Sequence, residues 1–175
     1  DNAPTDSGTI AYMLGMDDQM LSGKTEGDSE GLALVGDLAF VSFERDHRIL
    51  AFDIGRCGAA ARGAKVASLP DQIGETKIAP NRSAEALAFA SDQQSLIVMY
   101  EGRAKTNIIR GALDLMDSVD FSADLTGFNG YSPVGLDIVS FIDGVQLTAN
   151  LYRSYDPIRG NRSWLDIAFQ EGCCE

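Results

Sequence analysis

Short apolar runs bounded by polar or glycine-containing turns are the main pattern in the first half of the chain, and the clearest example covers residues 38–54. Within residues 38–44, Phe40 and Ser42 fall on one face of a strand and the intervening residues on the other, because side chains alternate along a strand. Both faces are mostly apolar, which is typical of a strand covered on both sides. The pattern therefore predicts a buried strand.

Two short connections bound this strand. Gly36 and Asp37 break the pattern before it, and residues 45–48 break it afterwards. Connections of this length join antiparallel neighbours. Residues 28–34 and 49–54 are therefore predicted to be the first and third strands of an antiparallel meander.

The same pattern returns twice. Glu85 begins a segment that matches the one beginning at Glu30, and a third copy begins at Gly135. Each copy has an apolar strand, a polar turn and a second apolar strand, and the copies are about 50 residues apart. Repeats of this size predict an all-β fold, a β-propeller-like array of antiparallel blades.

The predicted array has about three repeats plus a leading strand, whereas a propeller closes with about 4–8 blades. The array is therefore expected to be incomplete: the chain is a fragment, two copies associate, or the repeats pack in a smaller open arrangement. The predicted segments are 1–27 (a leading segment with the outer strand of a preceding blade), 28–80 and 81–127 (repeats), and 128–175 (a repeat with the C-terminal tail).

Other strands are predicted from apolar content. They are a leading strand in residues 9–16, an outer strand in 66–70 and a last strand in 161–169, with Trp164 in or near the core. Residues 108–116 suit either a helix face or a strand, and the repeat favours a strand. Residues 117–130 are predicted to be a loop.

These segments resemble the propeller-like family called esterase-like activity of phytase. The residues that carry the resemblance are 21–24, 28–34 and 41–49, Asn81 with 85–87, and 131–133 with Leu136. It extends from Leu21 to Arg162 and implies a propeller-like domain that hydrolyses esters. The third repeat departs from the family, with Gly135 in place of an Asp and Tyr152 in place of the Glu before Arg153.

The charge of the chain limits its partners. The formal net charge is −12, which argues against nucleic acid and against unaided binding of polyanions such as phytate. A divalent cation would reverse the field locally. No apolar run is long enough to cross a membrane. The chain begins at Asp1 without a Met, which fits a processed or excised segment. A secreted or periplasmic location is expected.

Acidic residues at strand ends are the candidate metal ligands. Glu30 and Glu85 begin the first strands of their repeats and would converge at one mouth of a propeller channel. Glu44 and Glu101 end the second strands and would form a second ring. With Asp28, these carboxylates suit Ca²⁺, which takes oxygen ligands and can polarise a phosphate or acyl oxygen. No organic cofactor is expected.

A structural role for the same acids is the alternative, in which Glu30 and Glu85 accept hydrogen bonds from turn amides or pair with arginines.

Glu44 and His47 are the candidate catalytic residues, with His47 as a general base. Asp46 is a poor orienting partner for His47, because neighbours on a strand or turn point apart. The alternative for His47 is an exposed or stacked turn residue.

Arginines that follow the second strands are the candidate substrate ligands. Arg45, Arg48 and Arg153, with Arg103, could clamp an anionic ester, or they could pair with the excess of acids. Ser42 is not expected to be a nucleophile, because it lies in mid-strand and no G-x-S-x-G element is present.

The chain has three cysteines, Cys57, Cys173 and Cys174. An odd number leaves at least one thiol without an intramolecular partner. Two states of the cysteines are therefore compatible with the sequence. In one, a disulfide joins Cys57 to Cys173 or Cys174, and in the other all three thiols are reduced.

Two functions follow. The first is a metal-assisted, Ca-type hydrolase of phosphate or carboxylic esters that takes a small anionic ester. The second is a non-catalytic propeller segment that binds a protein partner, a second copy or missing blades.

Overall fold

The computed structural model describes the backbone of residues 8–73, 75–82, 84–89, 95–100, 105–112, 115–119, 132–140, 146–156 and 160–170, and side chains only within residues 8–100. In this part of the chain strands predominate, and nearly all strand pairs are antiparallel. The prediction of an all-β fold is confirmed. None of the sheets formed by the described residues closes on itself, and the propeller arrangement stays a prediction.

The first sheet has five strands, in the order β1-β5-β4-β3-β2. Its strands are β1 (Leu14–Gly15), β2 (Ser29–Val35), β3 (Leu38–Phe43), β4 (Arg48–Asp53) and β5 (Arg62–Ser68). Strands β2 to β4 form the antiparallel meander that the turn pattern predicts, β5 continues it, and β1 joins the edge of β5 in parallel. The outer strand predicted in residues 66–70 corresponds to β5, which begins earlier, at Arg62, and ends at Ser68. Two short helices, α1 (Gly23–Glu26) and α2 (Ile54–Cys57), and the 3₁₀ turn Gly58–Ala60 lie between strands.

The second and third sheets follow in chain order. A strand pair, β6 (Gln72–Ile73) and β7 (Thr76–Lys77), precedes them. The second sheet contains β8 (Ala84–Phe89), β9 (Ser95–Tyr100), β10 (Lys105–Ala112) and β11 (Leu115–Val119). The third contains β12 (Ser132–Ser140), β13 (Gln146–Asp156) and β14 (Gly160–Gln170). Each of these sheets lies within one predicted repeat, although the repeat boundaries themselves stay predictions.

Strand β3 separates two apolar clusters, because its side chains alternate as the sequence predicts. Phe40, fully buried, packs with residues of β8 and β9, and its ring meets Phe89 edge to face at 4.8 Å. On the opposite face Phe43 packs with residues of β4, including Phe52. Both faces of β3 are therefore covered, which confirms the prediction for this strand.

The three sheets are neighbours through one strand of each. Strand β2 packs against β8, and β8 in turn packs against β12. This arrangement places the start of β2 close to the start of the second sheet, where the candidate acids lie.

Several predicted boundaries are corrected by the structure. The leading strand predicted in residues 9–16 is only two residues long, because only Leu14 and Gly15 pair with β5. Residues 108–112 and 115–116 form strand, as predicted, and they belong to two strands, β10 and β11. The loop predicted in 117–130 is wrong for its first residues, because Asp117 to Val119 pair with β10. The last strand is confirmed as β14, and the side chain of Trp164 lies outside the described part.

The leading segment is attached to the first sheet by charge as well as by β1. Asp18 accepts a hydrogen bond from Nε of Arg62, and this contact raises the pKa of the Arg62 guanidinium above its usual value.

Cys57 is an exposed free thiol, and the two tail cysteines lie outside the described residues. No helix within the described ranges has the length and apolar character needed to span a membrane.

Candidate functional site

The turn of residues 44–47 joins β3 to β4 and carries several of the predicted site residues. The amide of Glu44 donates to the carbonyl of Asp28 at 2.9 Å, so the turn is attached to the residue just before β2. Arg45 has a left-handed backbone with φ of 62°, and its amide donates to the carbonyl of Pro80 at 3.0 Å. Contacts from two distant parts of the chain therefore hold the turn in place.

A β-bulge lies in β2 beside this turn. Ser29 pairs with Phe43 and Leu32 pairs with Val41, so β2 has one more residue than β3 between these two pairs. The extra residue places two positions of β2 opposite the single residue Ser42. Bulges of this kind change the direction in which a side chain points.

The bulge changes the position of Glu30 relative to β3. In a regular strand Glu30 would share the face of Leu32, since side chains alternate. Alternation alone would give Asp28 the same face, and the extra residue between Ser29 and Leu32 changes how this pair of acids lies relative to Glu44. A local irregularity of the backbone thus accompanies the approach of Glu30, in β2, to Glu44, in the turn after β3.

The structure brings Asp28, Glu30 and Glu44 together as a cluster. One carboxylate oxygen from each residue lies within 4.8 Å of the others. Glu44 is buried, with 5% of its surface exposed, whereas Glu30 is exposed and Asp28 is half-buried. The cluster is therefore open to solvent on one side and enclosed on the other.

This cluster differs from the predicted arrangement of two rings. Glu30 and Glu44 were expected at separate rings, yet they lie in one cluster because the start of β2 pairs with the end of β3. The assignment of each acid as a ligand or a catalytic group stays a prediction.

Glu85 occupies the corresponding position of the second sheet. Ala84 pairs with Tyr100 and Ala86 pairs with Met99, so Glu85 is the extra residue of a bulge in β8. Glu85 is half-buried and does not join the cluster formed among the described acids. In the third sheet the register shift lies between Pro133 and Gly135, which puts Val134 at this position.

Arg45 lies at the edge of the cluster. Its Nε is 3.3 Å from Oδ2 of Asp28, and the two side chains are 35% and 27% exposed. The guanidinium is therefore accessible to a ligand that approaches the acids from solvent. Its predicted contact with substrate is compatible with this position but stays a prediction.

Arg48 lies inside the protein, beneath the turn. Its guanidinium carbon is 4.4 Å from the centroid of the Phe43 ring. Its nitrogens donate to the carbonyl of Glu26 at 2.6 Å and to that of Asp46 at 3.0 Å. These bonds stabilise the turn, and a contact between Arg48 and substrate stays a prediction.

His47 lies against Pro80. Its Nε2 is 3.4 Å from the carbonyl oxygen of Pro80, and its own carbonyl accepts a hydrogen bond from the amide of Leu69. Asp46 bonds Arg48 rather than His47, in agreement with the expectation that Asp46 does not orient the imidazole. The role of His47 as a base stays a prediction.

Three predicted site residues lie outside the part of the chain whose side chains are described: Glu101, Arg103 and Arg153.

Pro80 is not identified from the sequence, although its carbonyl contacts both Arg45 and His47. A backbone carbonyl leaves no sequence signal, so local patterns could not have found it.

No curated protein matches the sequence at a significant level. Residues 2–112 match the Phytase-like family, described as esterase-like activity of phytase. The match takes in more than half of the chain, including the first sheet with the acidic cluster and the second sheet to the end of β10. The chain therefore belongs to the phytase-like family described as esterase-like activity of phytase.

Proposed function

We propose that this protein is a metal-assisted hydrolase of phosphate or carboxylic esters, with a divalent cation of the Ca²⁺ type bound by Asp28, Glu30 and Glu44. The observation that carries the proposal is the approach of their carboxylate oxygens to within 4.8 Å of one another. The family description, which names an esterase-like activity, supports the reaction class.

The donor set fits a hard cation. Ca²⁺ binds oxygen ligands at about 2.3–2.6 Å, so two oxygens on one ion are at most about 5 Å apart. The cluster meets this limit with one carboxylate from the residue before β2, one from β2 and one from the turn after β3. Three protein ligands would leave coordination positions for water and substrate, because Ca²⁺ takes about 6–8 oxygens.

The charge of the chain also favours a cation at this place. With a net charge of −12, the protein repels an anionic ester unless positive charge is present locally. A bound divalent cation would polarise the ester oxygen and lower the pKa of a bound water. Arg45, which is exposed beside Asp28, would add a second positive group for the substrate anion.

The remaining predicted residues have roles that depend on this site. His47 is the proposed base that takes a proton from the attacking water, since it belongs to the same turn as Glu44 and Arg45. Glu85, Glu101 and Arg153 stay proposed ligands for metal or substrate. A second copy or further blades stay the proposed partners that complete the array.

The test is hydrolysis of a chromogenic phosphate ester and a chromogenic carboxylic ester, each measured with Ca²⁺ and with EDTA. We expect EDTA to abolish hydrolysis and added Ca²⁺ to restore it. Glu30→Gln, which removes one exposed ligand charge, should lower kcat/KM by at least about tenfold.

Glu75→Gln is the matched control, because Glu75 is an exposed acid outside the cluster, and it should leave the rate unchanged. Hydrolysis that neither EDTA nor Glu30→Gln affects would contradict the metal-assisted mechanism. Ca²⁺ binding without turnover of any ester would instead favour the non-catalytic binding module.

A further inference from the structure

We propose that Ser42 is a positioning residue for the acidic cluster: its buried hydroxyl holds the bulge of β2 against β8 and so keeps Glu30 beside Asp28 and Glu44. The inference rests on the proposed metal site and adds a residue that would bind neither metal nor substrate.

The hydroxyl of Ser42 is fully used within the protein. Ser42 has no exposed surface, and its Oγ accepts a hydrogen bond from the amide of Gly31 at 2.9 Å. The same Oγ donates to the carbonyl of Ala84 at 2.7 Å, a shorter contact than the 3.5 Å to the carbonyl of Gly31. One hydroxyl has one proton to donate, so the bond to Ala84 is the favoured one.

The accepted bond satisfies an amide at the bulge. A bulge leaves its extra residue outside the regular ladder, and a buried amide needs a partner elsewhere. Gly31 is buried and directly follows Glu30, so the hydroxyl of Ser42 supplies this partner next to a cluster ligand. Without the hydroxyl this amide would lose its partner, and a return of β2 to a regular register would move Glu30 away from Glu44.

The donated bond connects the bulge to the second sheet. Ala84 precedes Glu85, the extra residue of the corresponding bulge in β8. Ser42 thus lies between two strands that each carry a glutamate at the same irregularity. The two glutamates keep a fixed backbone relationship as long as this hydroxyl bridges their neighbours.

Gly31 is the matching half of this arrangement. A Cβ at Gly31 would lie 2.7 Å from Oγ of Ser42 and 3.1 Å from Cβ of Leu87. A side chain at residue 31 would therefore displace the hydroxyl or separate the two sheets. The glycine permits the close approach that the hydrogen bonds require.

The experiment measures Ca²⁺ affinity by isothermal titration calorimetry in the full chain and its variants. Ser42→Ala should weaken Ca²⁺ binding by about tenfold, the size of effect seen when a residue that orients metal ligands is removed. Phe52→Leu is the control, because Phe52 is buried on the face of the first sheet opposite to Ser42. It should lower stability but leave Ca²⁺ affinity unchanged.

The outcomes separate this inference from the proposed function. If the unmodified chain does not bind Ca²⁺, the metal site itself is wrong. If it binds and Glu30→Gln weakens binding while Ser42→Ala does not, the positioning role is overturned. If Ser42→Ala does not fold, Gly31→Ala tests the same contact from the other side: weakened Ca²⁺ binding supports the role, and unchanged binding overturns it.

Discussion

The two ends of strand β3 are built in different ways. At its start, Gly36 and Asp37 form a two-residue turn in which only the glycine has a positive φ, 53°, the pattern of a type II′ hairpin turn. At its end, four residues form the turn, and its left-handed residue is Arg45, a residue with a side chain. The first turn follows common hairpin rules, and the second departs from them.

The partners of the two turns explain this difference. The carbonyl of Asp37 accepts hydrogen bonds from the amides of Ile54 and Gly55, which directly follow β4 in the same sheet. The longer turn is held by Asp28 and by Pro80, which lies beyond the first sheet. Left-handed backbone in a residue other than glycine persists where the surroundings fix it, and such positions concentrate at functional sites. The unusual end of β3 is also the end with the acidic cluster.

The largest loss of stability is expected on removal of Arg48, because its buried guanidinium donates the hydrogen bonds that stabilise the longer turn. Arg48→Met retains an apolar stem over Phe43 but removes the donors to the carbonyls of Glu26 and Asp46. We expect the free energy of unfolding to fall by about 2–4 kcal/mol, since a buried charged donor network is lost. Urea denaturation monitored by circular dichroism measures the change.

The control for this substitution is Arg56→Met. Arg56 is exposed in α2, near the short turn, so the same change of side chain should alter stability by less than about 0.5 kcal/mol. Equal effects of the two substitutions would show that the buried bonds of Arg48 do not support the turn.

Two glycine substitutions sharpen the comparison. Gly31→Ala places a Cβ 2.7 Å from Oγ of Ser42, so it should cost about 1–3 kcal/mol through overpacking. Gly36→Ala meets nothing within 4 Å, and its cost should be about 1 kcal/mol, from the left-handed backbone alone. The two midpoints in urea give the ranking, and a larger loss for Gly36→Ala would contradict the close packing between β2 and β8.

The sequence predicts the regular part of this fold well. The alternation in β3 and the short turns on either side of it depend on neighbouring residues, and the structure agrees with both. The extent of the leading strand was wrong, since apolar content does not show which residues find a pairing edge. Only Leu14 and Gly15 reach β5, while Ile10 and Tyr12 stay exposed.

The candidate site was predictable residue by residue but not as an arrangement. Asp28, Glu30 and Glu44 were recognised because acids at strand ends are conspicuous among apolar residues. Their approach depends on the bulge in β2, which Ser42 and Gly31 stabilise through contacts with the second sheet. The register of a bulge reflects contacts far apart in the sequence, and an alternating pattern alone does not contain it.

The smallest predicted effect concerns the left-handed residue itself. Arg45→Gly relieves the strain at φ of 62° but removes the ion pair with Asp28, a partly exposed pair worth less than about 1 kcal/mol. The two changes oppose each other, so the free energy of unfolding should change by no more than about 0.5 kcal/mol. Arg45→Ala also loses the pair but retains a Cβ, and it should be less stable than Arg45→Gly by about 0.5–1 kcal/mol. Urea denaturation of both variants gives this difference directly, and equal stability would mean that contacts with Asp28 and Pro80 do not hold residue 45 in a left-handed conformation.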